Sequence, residues 1–489
     1  MTSIKSIVKS IVKSKGPILT TQLIKELRVA GSTATDEALR QQLSRFEDEE
    51  IYKLKGYFAH RQTLFYFKDD FFDEVFTEGL LAALKSDAKQ YHYLIKALEF
   101  HRGVLPIDQL PCYGVNPVSN VKGHVTINSA IQKLQTLKLV HNNNAEVSLE
   151  PPRTHIIENK RQSMAIQLVK DVLLLQFNDW ARKLSMTAYD SSTFYSPFGN
   201  FCFAFVAPSY ITTVTTWSDQ QLKPGFVVAD ILIGNTVTAD HIEFFIKKVE
   251  ILKAQKNTLK FLPFLIVDNL EPEALNALRS SGIIIGKVNQ LFGEEYTSLM
   301  AALINTVVNA GAVLKKNPEQ FIDLLVKLKA LVSGKTNNLR GDLFEMAVGY
   351  YHSKMGCGTL DIGKLITYEY NQREMDVYAV YGNKVVVAEC KGYNYPMSKA
   401  DLETWLTDKV PIIRKWILDQ PSLSDKEIHF QYWCTGGFTE DANNLVEKME
   451  KTKKYTLEFF NAEKIVKTSA LAKSKKFNDI MNEYFIKQS

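Results

Sequence analysis

The sequence predicts a multidomain protein of mixed α and β structure: two small helix-and-strand domains followed by two α/β domains. A length of 489 residues corresponds to about three domains of ordinary size. A hydrophobic fraction of 45% with a charged fraction of 23% is typical of globular proteins and excludes a fibrous or wholly disordered chain. Helical periodicity dominates residues 1–152, whereas helices and apolar strands alternate in the remainder.

The cysteines and the apolar runs narrow the class of protein further. The five cysteines are scattered without a CxxC pair, so neither a structural zinc site nor a disulfide framework is expected. No apolar run reaches the ~18 residues of a membrane-spanning helix. Residues 1–15 lack the continuous apolar core of a signal peptide. We therefore expect no membrane partner and a cytoplasmic protein, associated with the nucleoid if the source is bacterial.

The first domain is expected over residues 1–70. Three amphipathic helices and then two strands are indicated over Ile4–Val12, Thr21–Val29, Thr35–Phe46, Ile51–Tyr57 and Gln62–Phe67. Three helices followed by a β-hairpin are the pattern of a winged-helix domain. The net charge of the whole chain is +5, and residues 1–68, with 12 Lys/Arg against 7 Asp/Glu, carry the same excess. A basic winged-helix-like domain favours double-stranded DNA as a partner.

Candidate DNA-binding residues lie on the third helix and on the hairpin of this domain. Arg40, Gln41 and Arg45 are placed on the exposed side of the third helix, which would read the DNA. The hairpin, or wing, carries Lys53, Lys55, His60 and Arg61. The alternative is that the domain mediates protein contacts or spaces other domains, as many winged helices do.

A second, less basic winged-helix-like domain is expected over residues 76–152. The segment Ile11–Leu23 resembles Ala97–Leu110, since each contains a helix end, a glycine, an apolar residue and a helix start. A helix over Thr126–Leu139 and a strand over Ala145–Leu149 complete the scheme.

Residues 154–310 and 319–489 are expected to form two α/β domains. The strands predicted are Phe201–Val206, Phe226–Ile233, Phe261–Val267 and Ile283–Val288 in the first, and Val385–Lys391, Ile428–Thr435 and Tyr455–Phe460 in the second. Helices are predicted between them. The run VVADILIGN from Val227 echoes VVAECKGYN from Val386, so the two domains are interpreted as copies of one α/β module.

The stretch Asn371–Asn394 carries the most specific chemistry. Gly382-Asn383 between two strand-like runs indicates a two-residue hairpin turn. That register places Asp376 opposite Glu389, and Glu374 opposite Lys391. All four side chains then share one face, because strand side chains alternate with a period of two.

Opposed carboxylates repel each other, so a fold gains from such a pair only if something compensates. A divalent cation bound by Asp376 and Glu389 would do so, and oxygen ligands suit Mg²⁺, with Mn²⁺ able to substitute. Lys391 is placed to orient a water or to stabilise an oxyanion, with Glu374 as an accessory residue that holds its ammonium group. The alternative is a surface ion pair at the end of a charged hairpin.

At this point the sequence resembles a known family. Asp376, followed by Glu389-Cys390-Lys391, is similar to the motif of the PD-(D/E)XK restriction-endonuclease-like nucleases, although no proline precedes Asp376. The upstream run RGDLFEMAVGYYHSK from Arg340 resembles their first core helix. The resemblance implies that Asp376 and Glu389 bind metal, Lys391 is the catalytic lysine and Glu345 an accessory acid. Residues 319–489 would then be a nuclease-like domain.

Residues 154–310 match that pattern only in part. Asp230 could stand for either acid of the motif, but position 232 is leucine, so the lysine has no counterpart. We therefore expect a degenerate nuclease-like α/β domain with a scaffolding, dimerisation or nucleic-acid-holding role. An unrelated α/β domain is the alternative.

Two further sequence signals are weaker. Ser333–Thr336 reads SGKT, but a phosphate loop requires glycine where Lys329 stands, so no nucleotide cofactor is expected. The basic residues on the predicted helix Lys399–Leu418, including Lys409, are interpreted mainly as a solvated face.

The functional expectation is a Mg²⁺-dependent endodeoxyribonuclease that leaves 5′-phosphate ends, by analogy in restriction or antiphage defence. Double-strand cleavage by one active domain would suggest a homodimer. Two alternatives stay open: a non-catalytic DNA-binding or assembly protein that retains a nuclease scaffold, and a structure-selective junction or repair nuclease.

Overall fold

The computed structural model describes residues 4–70, 73–143, 145–150, 156–218, 221–331, 337–449 and 454–486. Ser333–Thr336, for which no phosphate loop is expected, lies outside these residues. The described chain is a multidomain assembly of helices and mixed sheets, as the composition and periodicity predict.

The N-terminal unit has its three predicted helices and two predicted strands, with one additional short strand. Its elements are α1 Ile4–Lys15, β1 Ile18–Leu19, α2 Thr20–Val29, α3 Asp36–Arg45, β2 Ile51–Leu54 and β3 Leu64–Phe67. The strands form an antiparallel sheet in the order β1-β3-β2. The Thr35 side chain accepts a hydrogen bond from the Ala38 amide and so caps the start of α3.

The second unit combines α-helices with a small sheet. It consists of α4 Glu74–Asp87, α5 Lys89–Phe100, β4 Val104–Pro106, α6 Ile127–Thr136, β5 Val140–Asn142 and β6 Glu146–Leu149. The sheet has the order β4-β6-β5. The unit contacts the first one at the hairpin loop, where Lys133 Nζ donates to the Gly56 carbonyl at 2.7 Å.

The third unit begins with a long helix and contains a five-stranded sheet. Its elements are α7 Ile156–Lys183, β7 Thr193–Phe198, β8 Phe201–Ser209, β9 Thr216–Ser218, β10 Gln221–Lys223, β11 Gly225–Val237, α8 Ala239–Ala254, β12 Phe261–Leu270, α9 Pro272–Ser280, β13 Ile284–Lys287, α10 Val288–Phe292 and α11 Glu294–Val308. The connecting helices α12 Ala310–Lys316 and α13 Pro318–Leu331 follow.

The fourth unit repeats this arrangement. Its elements are α14 Asn337–Lys354, β14 Thr359–Tyr368, β15 Asn371–Val380, β16 Lys384–Lys391, α15 Lys399–Thr404, a π turn Trp405–Lys409, α16 Val410–Leu418, β17 Glu427–Cys434, α17 Glu440–Met449, β18 Thr456–Phe460, α18 Ala462–Ser469 and α19 Lys475–Ile480.

The two five-stranded sheets have the same topology. Their orders are β7-β8-β11-β12-β13 and β14-β15-β16-β17-β18. In each sheet, the first three strands pair in antiparallel fashion. The third strand pairs in parallel with the fourth, and the fourth pairs in parallel with the fifth. A helical crossover joins the third strand to the fourth. This correspondence, suggested by the sequence echo, makes β11 the counterpart of β16, and β8 the counterpart of β15.

The hydrophobic cores tie the units together. One core combines α7, α11 and α14 with residues from both large sheets, such as Phe205, Ile231, Val377 and Trp433. A second core joins the small N-terminal sheets to the other face of the third unit's sheet. The two α/β units therefore share one hydrophobic core.

No single helix among the described residues is long and apolar enough to cross a membrane. The helices α11 and α12 reach that length and apolarity only as a pair bent by 95°. Leu303 and Leu314 in this pair are fully buried in the shared core.

A buried histidine braces α14 against the second large sheet. His352 Nδ1 lies 2.9 Å from the Tyr381 hydroxyl, and Nε2 lies 3.1 Å from Gln431 Oε1. Burial lowers the pKa of His352 to about 4, although the bond to Gln431 opposes the shift. The folded protein thus holds this imidazole neutral.

The titration of His352 predicts a pH-dependent stability. The unfolded chain takes up this proton below pH ~6.5, whereas the folded chain does so only near pH 4. The free energy of unfolding should therefore fall by up to about 3 kcal/mol as pH drops through that window. Urea titrations at several pH values measure this free energy. Its dependence on pH should be lost in His352→Gln and kept in His60→Gln, which replaces an exposed histidine. Equal slopes in all three proteins would contradict the assignment.

Candidate active site

The predicted hairpin is present in the predicted register. In strands β15 and β16, the paired residues run from Val380 opposite Val385 to Val377 opposite Ala388. Across the turn, the Tyr381 amide donates to the Lys384 carbonyl at 2.8 Å. The two-residue Gly382-Asn383 turn is therefore confirmed. Asp376 and Glu389 follow the last pair, on neighbouring strands.

The two strands separate where these acids lie. The Cys390 amide donates to Asp376 Oδ2 at 2.7 Å instead of continuing the ladder between backbones. The adjacent strands β16 and β17 stay paired through Lys391–Cys434, which keeps Glu389 and Lys391 on a rigid strand. Asp376 and Glu389 are only 7% and 5% exposed, so both carboxylates are largely withdrawn from water.

Two ammonium groups compensate this buried negative charge. Lys391 Nζ lies 2.8 Å from Glu389 Oε1 and 3.8 Å from Asp376 Oδ2. Lys409 Nζ lies 2.8 and 2.9 Å from the two oxygens of Glu389. Burial lowers the pKa of Lys391, but the carboxylates of Asp376 and Glu389 outweigh it and raise that pKa above its usual value.

Lys409 is the site residue that the sequence analysis missed. The interpretation of this lysine as part of a solvated face is wrong, because its ammonium group is bonded to the buried Glu389. It follows Trp405 and Leu406, which are buried, in the π turn between α15 and α16. Its neighbours in the sequence are Asp408 and Val410, so the local sequence gives no signal that it reaches Glu389.

Helix α14 adds further acids next to the hairpin. Asp342 and Glu345, three residues apart, lie on one side of this helix. Burial raises the pKa of Glu345, and the charges of Asp376 and Asp342 raise it further. Burial likewise raises the pKa of Asp342, with a contribution from Glu374. Burial also raises the pKa of Asp376, and the neighbouring carboxylate of Glu389 raises it further.

Glu374 does not pair with Lys391 as expected. The ladder between β15 and β16 ends at Val377–Ala388, so the cross-strand register does not extend to Glu374. Lys391 instead makes its ion pairs with Glu389 and Asp376. Glu374 pairs with Leu365 of β14 and lines a separate cavity, because the strands diverge before they reach it.

Two cavities meet at the acids of α14. The first, of about 310 Å³, is lined by Lys391 and Tyr393 from the fourth unit and by Gln109 and Glu146 from the second. The other, of about 440 Å³, contains Glu374. Their shared lining consists of Lys160, Met164, Asp342 and Glu345.

Helix α7 and the second unit thus form one wall of the candidate site. Lys160 Nζ lies 3.0 Å from Glu146 Oε1, and Arg161 donates to the Gly363 carbonyl at 3.3 Å. The cavity beside Lys391 is therefore lined by segments that are far apart in the sequence.

The chemistry of the donor set fits a hard divalent cation. Asp376 and Glu389 are buried, and Asp342 and Glu345 are half-buried. Burial and then neighbouring carboxylates raise the pKa values of Asp342, Glu345 and Asp376, so these groups provide oxygen ligands and excess negative potential. Within the described residues, however, no group of three or more acidic, histidine or cysteine side chains is arranged to hold an ion. Both oxygens of Glu389 are instead occupied by ammonium groups.

The third unit has the same strand opening without the same chemistry. Its ladder between β8 and β11 ends at Phe205–Ala229, so Asp230 has the position of Glu389, and Ala204 that of Asp376. Leu232 stands where the fourth unit has Lys391. Asp230 accepts a hydrogen bond from the Ala204 amide at 2.8 Å.

A lysine from the crossover helix neutralises Asp230. Lys248 Nζ lies 2.5 Å from Asp230 Oδ2, and both side chains are 0% exposed. The same ammonium donates to the carbonyls of Cys112 and Cys202. Burial raises the pKa of Asp230, and Lys248 opposes the shift. With one acid and one lysine fully enclosed, this position is a structural ion pair.

Lys248→Met should destabilise the protein by about 3–5 kcal/mol, because it leaves Asp230 buried without a countercharge. Chemical denaturation followed by circular dichroism measures this loss. The adjacent Lys247→Met removes a lysine that pairs with Glu250 at the surface and should leave stability nearly unchanged. Equal midpoints for both variants would show that the buried pair does not support the fold.

The predicted DNA-binding residues divide into two groups. Arg40, Gln41, Arg45, Lys55 and Arg61 are exposed. Lys53, in contrast, donates to the backbone carbonyls of Ser44 and Phe46 near the end of α3. The structure therefore assigns it a local structural contact that the sequence analysis did not foresee.

Comparisons with known proteins leave the family open. The chain matches no protein-family model and no curated protein. Among solved structures, a match was found to protein VC1899 from Vibrio cholerae, at 8% identity and a TM-score of 0.15. It covers 45% of this chain and 51% of that one. This chain therefore spans about half the length of that protein.

Proposed function

We propose that this protein is a metal-dependent endonuclease that hydrolyses phosphodiester bonds in double-stranded DNA. One observation carries the proposal: Asp376 and Glu389 are buried where two strands separate, with Lys391 Nζ 2.8 Å from Glu389 and 3.8 Å from Asp376. An acid pair and a lysine on one strand opening are the arrangement that the resemblance to PD-(D/E)XK nucleases implies. The fourth unit would be the nuclease-like domain and the third its degenerate counterpart.

In this proposal Asp376 and Glu389 hold Mg²⁺, with Mn²⁺ as a substitute. Bound there, the ion would polarise the scissile phosphate and acidify a water molecule. Lys391 would orient that water or stabilise the negative charge that develops on the phosphate oxygens. Glu345, whose pKa burial raises, would be an accessory acid beside Asp376. Glu374 is left without a role in positioning Lys391.

The two N-terminal units are proposed as winged-helix-like domains that position the DNA. Support comes from the order of elements in residues 4–67 and from the exposure of Arg40, Gln41 and Arg45 on α3. Contacts of this kind to phosphates are sequence-independent and sensitive to salt. Restriction or antiphage defence remains the proposed setting by analogy of architecture alone.

A non-catalytic DNA-binding scaffold is the second candidate, and one observation favours it. Lys391 and Lys409 together engage both oxygens of Glu389, much as Lys248 engages Asp230 in the third unit. The distinction is Asp376, which keeps a second carboxylate in the fourth unit where the third has Ala204.

Cleavage assays separate the two candidates. With Mg²⁺ or Mn²⁺, the wild type should cut supercoiled plasmid, Asp376→Ala should not, and Lys391→Ala should be slower by about a hundredfold or more. Lys399→Ala, an exposed lysine on the same crossover, should cleave like the wild type. DNA binding without cutting would favour the scaffold. Loss of activity in the Lys399 control alone would point to another site.

Binding to a short duplex tests the first unit separately. Arg40→Ala with Arg45→Ala should weaken binding and reduce the slope of log affinity against log salt by about two, because each arginine would neutralise one phosphate. Fluorescence anisotropy in metal-free buffer measures both quantities. Lys467→Ala, an exposed lysine far along the chain, serves as the charge control. An unchanged slope in the double variant would exclude α3 as the DNA-contacting element.

A further inference from the structure

Lys409 and Lys391, the two cations at the site, are held by different contacts. The hydrogen bonds of Lys409 are to the two oxygens of Glu389, and 29% of its side chain is exposed. Lys391, by comparison, projects from β16, whose pairing with β17 is continuous, and it also faces Asp376. Lys391 is exposed to nearly the same extent, 25%, so the two lysines differ in their partners: Lys409 has one carboxylate within salt-bridge distance and Lys391 has two.

The third unit contains the equivalent lysine–carboxylate contact in a fully buried form. Lys248 comes from the equivalent crossover and reaches the equivalent acid. There the ammonium is fully buried and also bound by the carbonyls of Cys112 and Cys202. Lys409 has the same role as countercharge but lacks this enclosure.

A divalent cation at Glu389 would compete with Lys409 for the same carboxylate. A buried carboxylate needs a countercharge, which Lys409 supplies when no metal is bound. A divalent ion held by Glu389 would repel an ammonium group that lies less than 3 Å from the same oxygens. A partly exposed lysine side chain can move its charge into water at low cost.

We propose that Lys409 is a displaceable internal cation that holds Glu389 in the metal-free protein and withdraws when a divalent metal binds, thereby setting the metal concentration the site requires. The inference rests on the proposed nuclease function, because it takes Asp376 and Glu389 as metal ligands. It assigns to Lys409 a positioning role toward Glu389, and Lys391 remains at the site.

Metal binding in the absence of DNA tests this proposal. Isothermal titration with Mn²⁺ should give an affinity for Lys409→Met that is at least about tenfold higher than for the wild type, since a like charge beside the ion is removed. Lys409→Gln, which keeps a hydrogen-bond donor for Glu389, should show the same direction. Lys409→Arg, which keeps the charge and can hold both oxygens, should bind no more tightly than the wild type.

Thermal unfolding provides the second readout. Without metal, Lys409→Met should melt below the wild type, because Glu389 loses one countercharge. The rise in Tm on adding Mn²⁺ should be larger in this variant than in the wild type. Lys399→Met, from the same crossover, should behave as the wild type in both measurements, and Asp376→Ala should abolish the metal response.

The outcomes distinguish the two proposals. If the wild type binds Mn²⁺ through Asp376 but neither Lys409→Met nor Lys409→Gln binds it more tightly, the displacement role is wrong and the nuclease proposal stands. If none of these proteins binds Mn²⁺, or Asp376→Ala binds it as well as the wild type, both proposals are overturned.

Discussion

The architecture of the fourth unit depends on one electrostatic constraint: Asp376 and Glu389 are held side by side away from water. Removing two carboxylates from solvent is costly unless hydrogen bonds and opposite charges replace the lost hydration. The strands open at this point, which frees the Cys390 amide to bind Asp376. Lys391 and Lys409 supply the countercharge. One backbone amide and two ammonium groups, all within the fourth unit, thus hold the acid pair.

The third unit meets the same constraint by reducing the charge. Ala204 at the place of Asp376 leaves a single acid, and one enclosed lysine is then sufficient. The lysine also binds the Cys112 carbonyl, so the counterpart of the site fastens the second unit to the third. Nearby, the Tyr113 hydroxyl donates to the Ile231 carbonyl at 3.1 Å and strengthens the same contact. Neutralisation and domain attachment are thus two consequences of one buried lysine.

The shared core explains why the candidate site is built from several units. Because α7 packs in the same core as both large sheets, its Lys160 is brought to the acids of α14. The salt bridge of Lys160 with Glu146 brings the second unit to the same cavity. The cavity is thus lined by the N-terminal half of the chain as well as by Cys390 and Lys391 of β16.

Local sequence determined the elements and the register of the hairpin. The turn residues Gly382-Asn383 and the period-two alternation on both sides fix which residues of β15 and β16 pair. These same local signals placed Asp376 beside Glu389, and Glu345 on the preceding helix. They failed at Glu374, because a continuous ladder was assumed, whereas β15 and β16 pair only as far as Val377–Ala388.

Only the tertiary structure decided which distant groups complete the site. Lys409 reaches Glu389 because a π turn and a parallel crossover carry it back across the sheet, and no local periodicity encodes that direction. The position of Ala204 opposite Asp230 likewise depends on pairing between separate strands. We expected Lys53 to contact DNA. Its ammonium group instead donates to a backbone carbonyl near the end of α3, where unpaired carbonyls attract a positive charge. A charged group pairs with the polar group that the fold brings close to it. Long-range packing sets that distance, and local sequence does not.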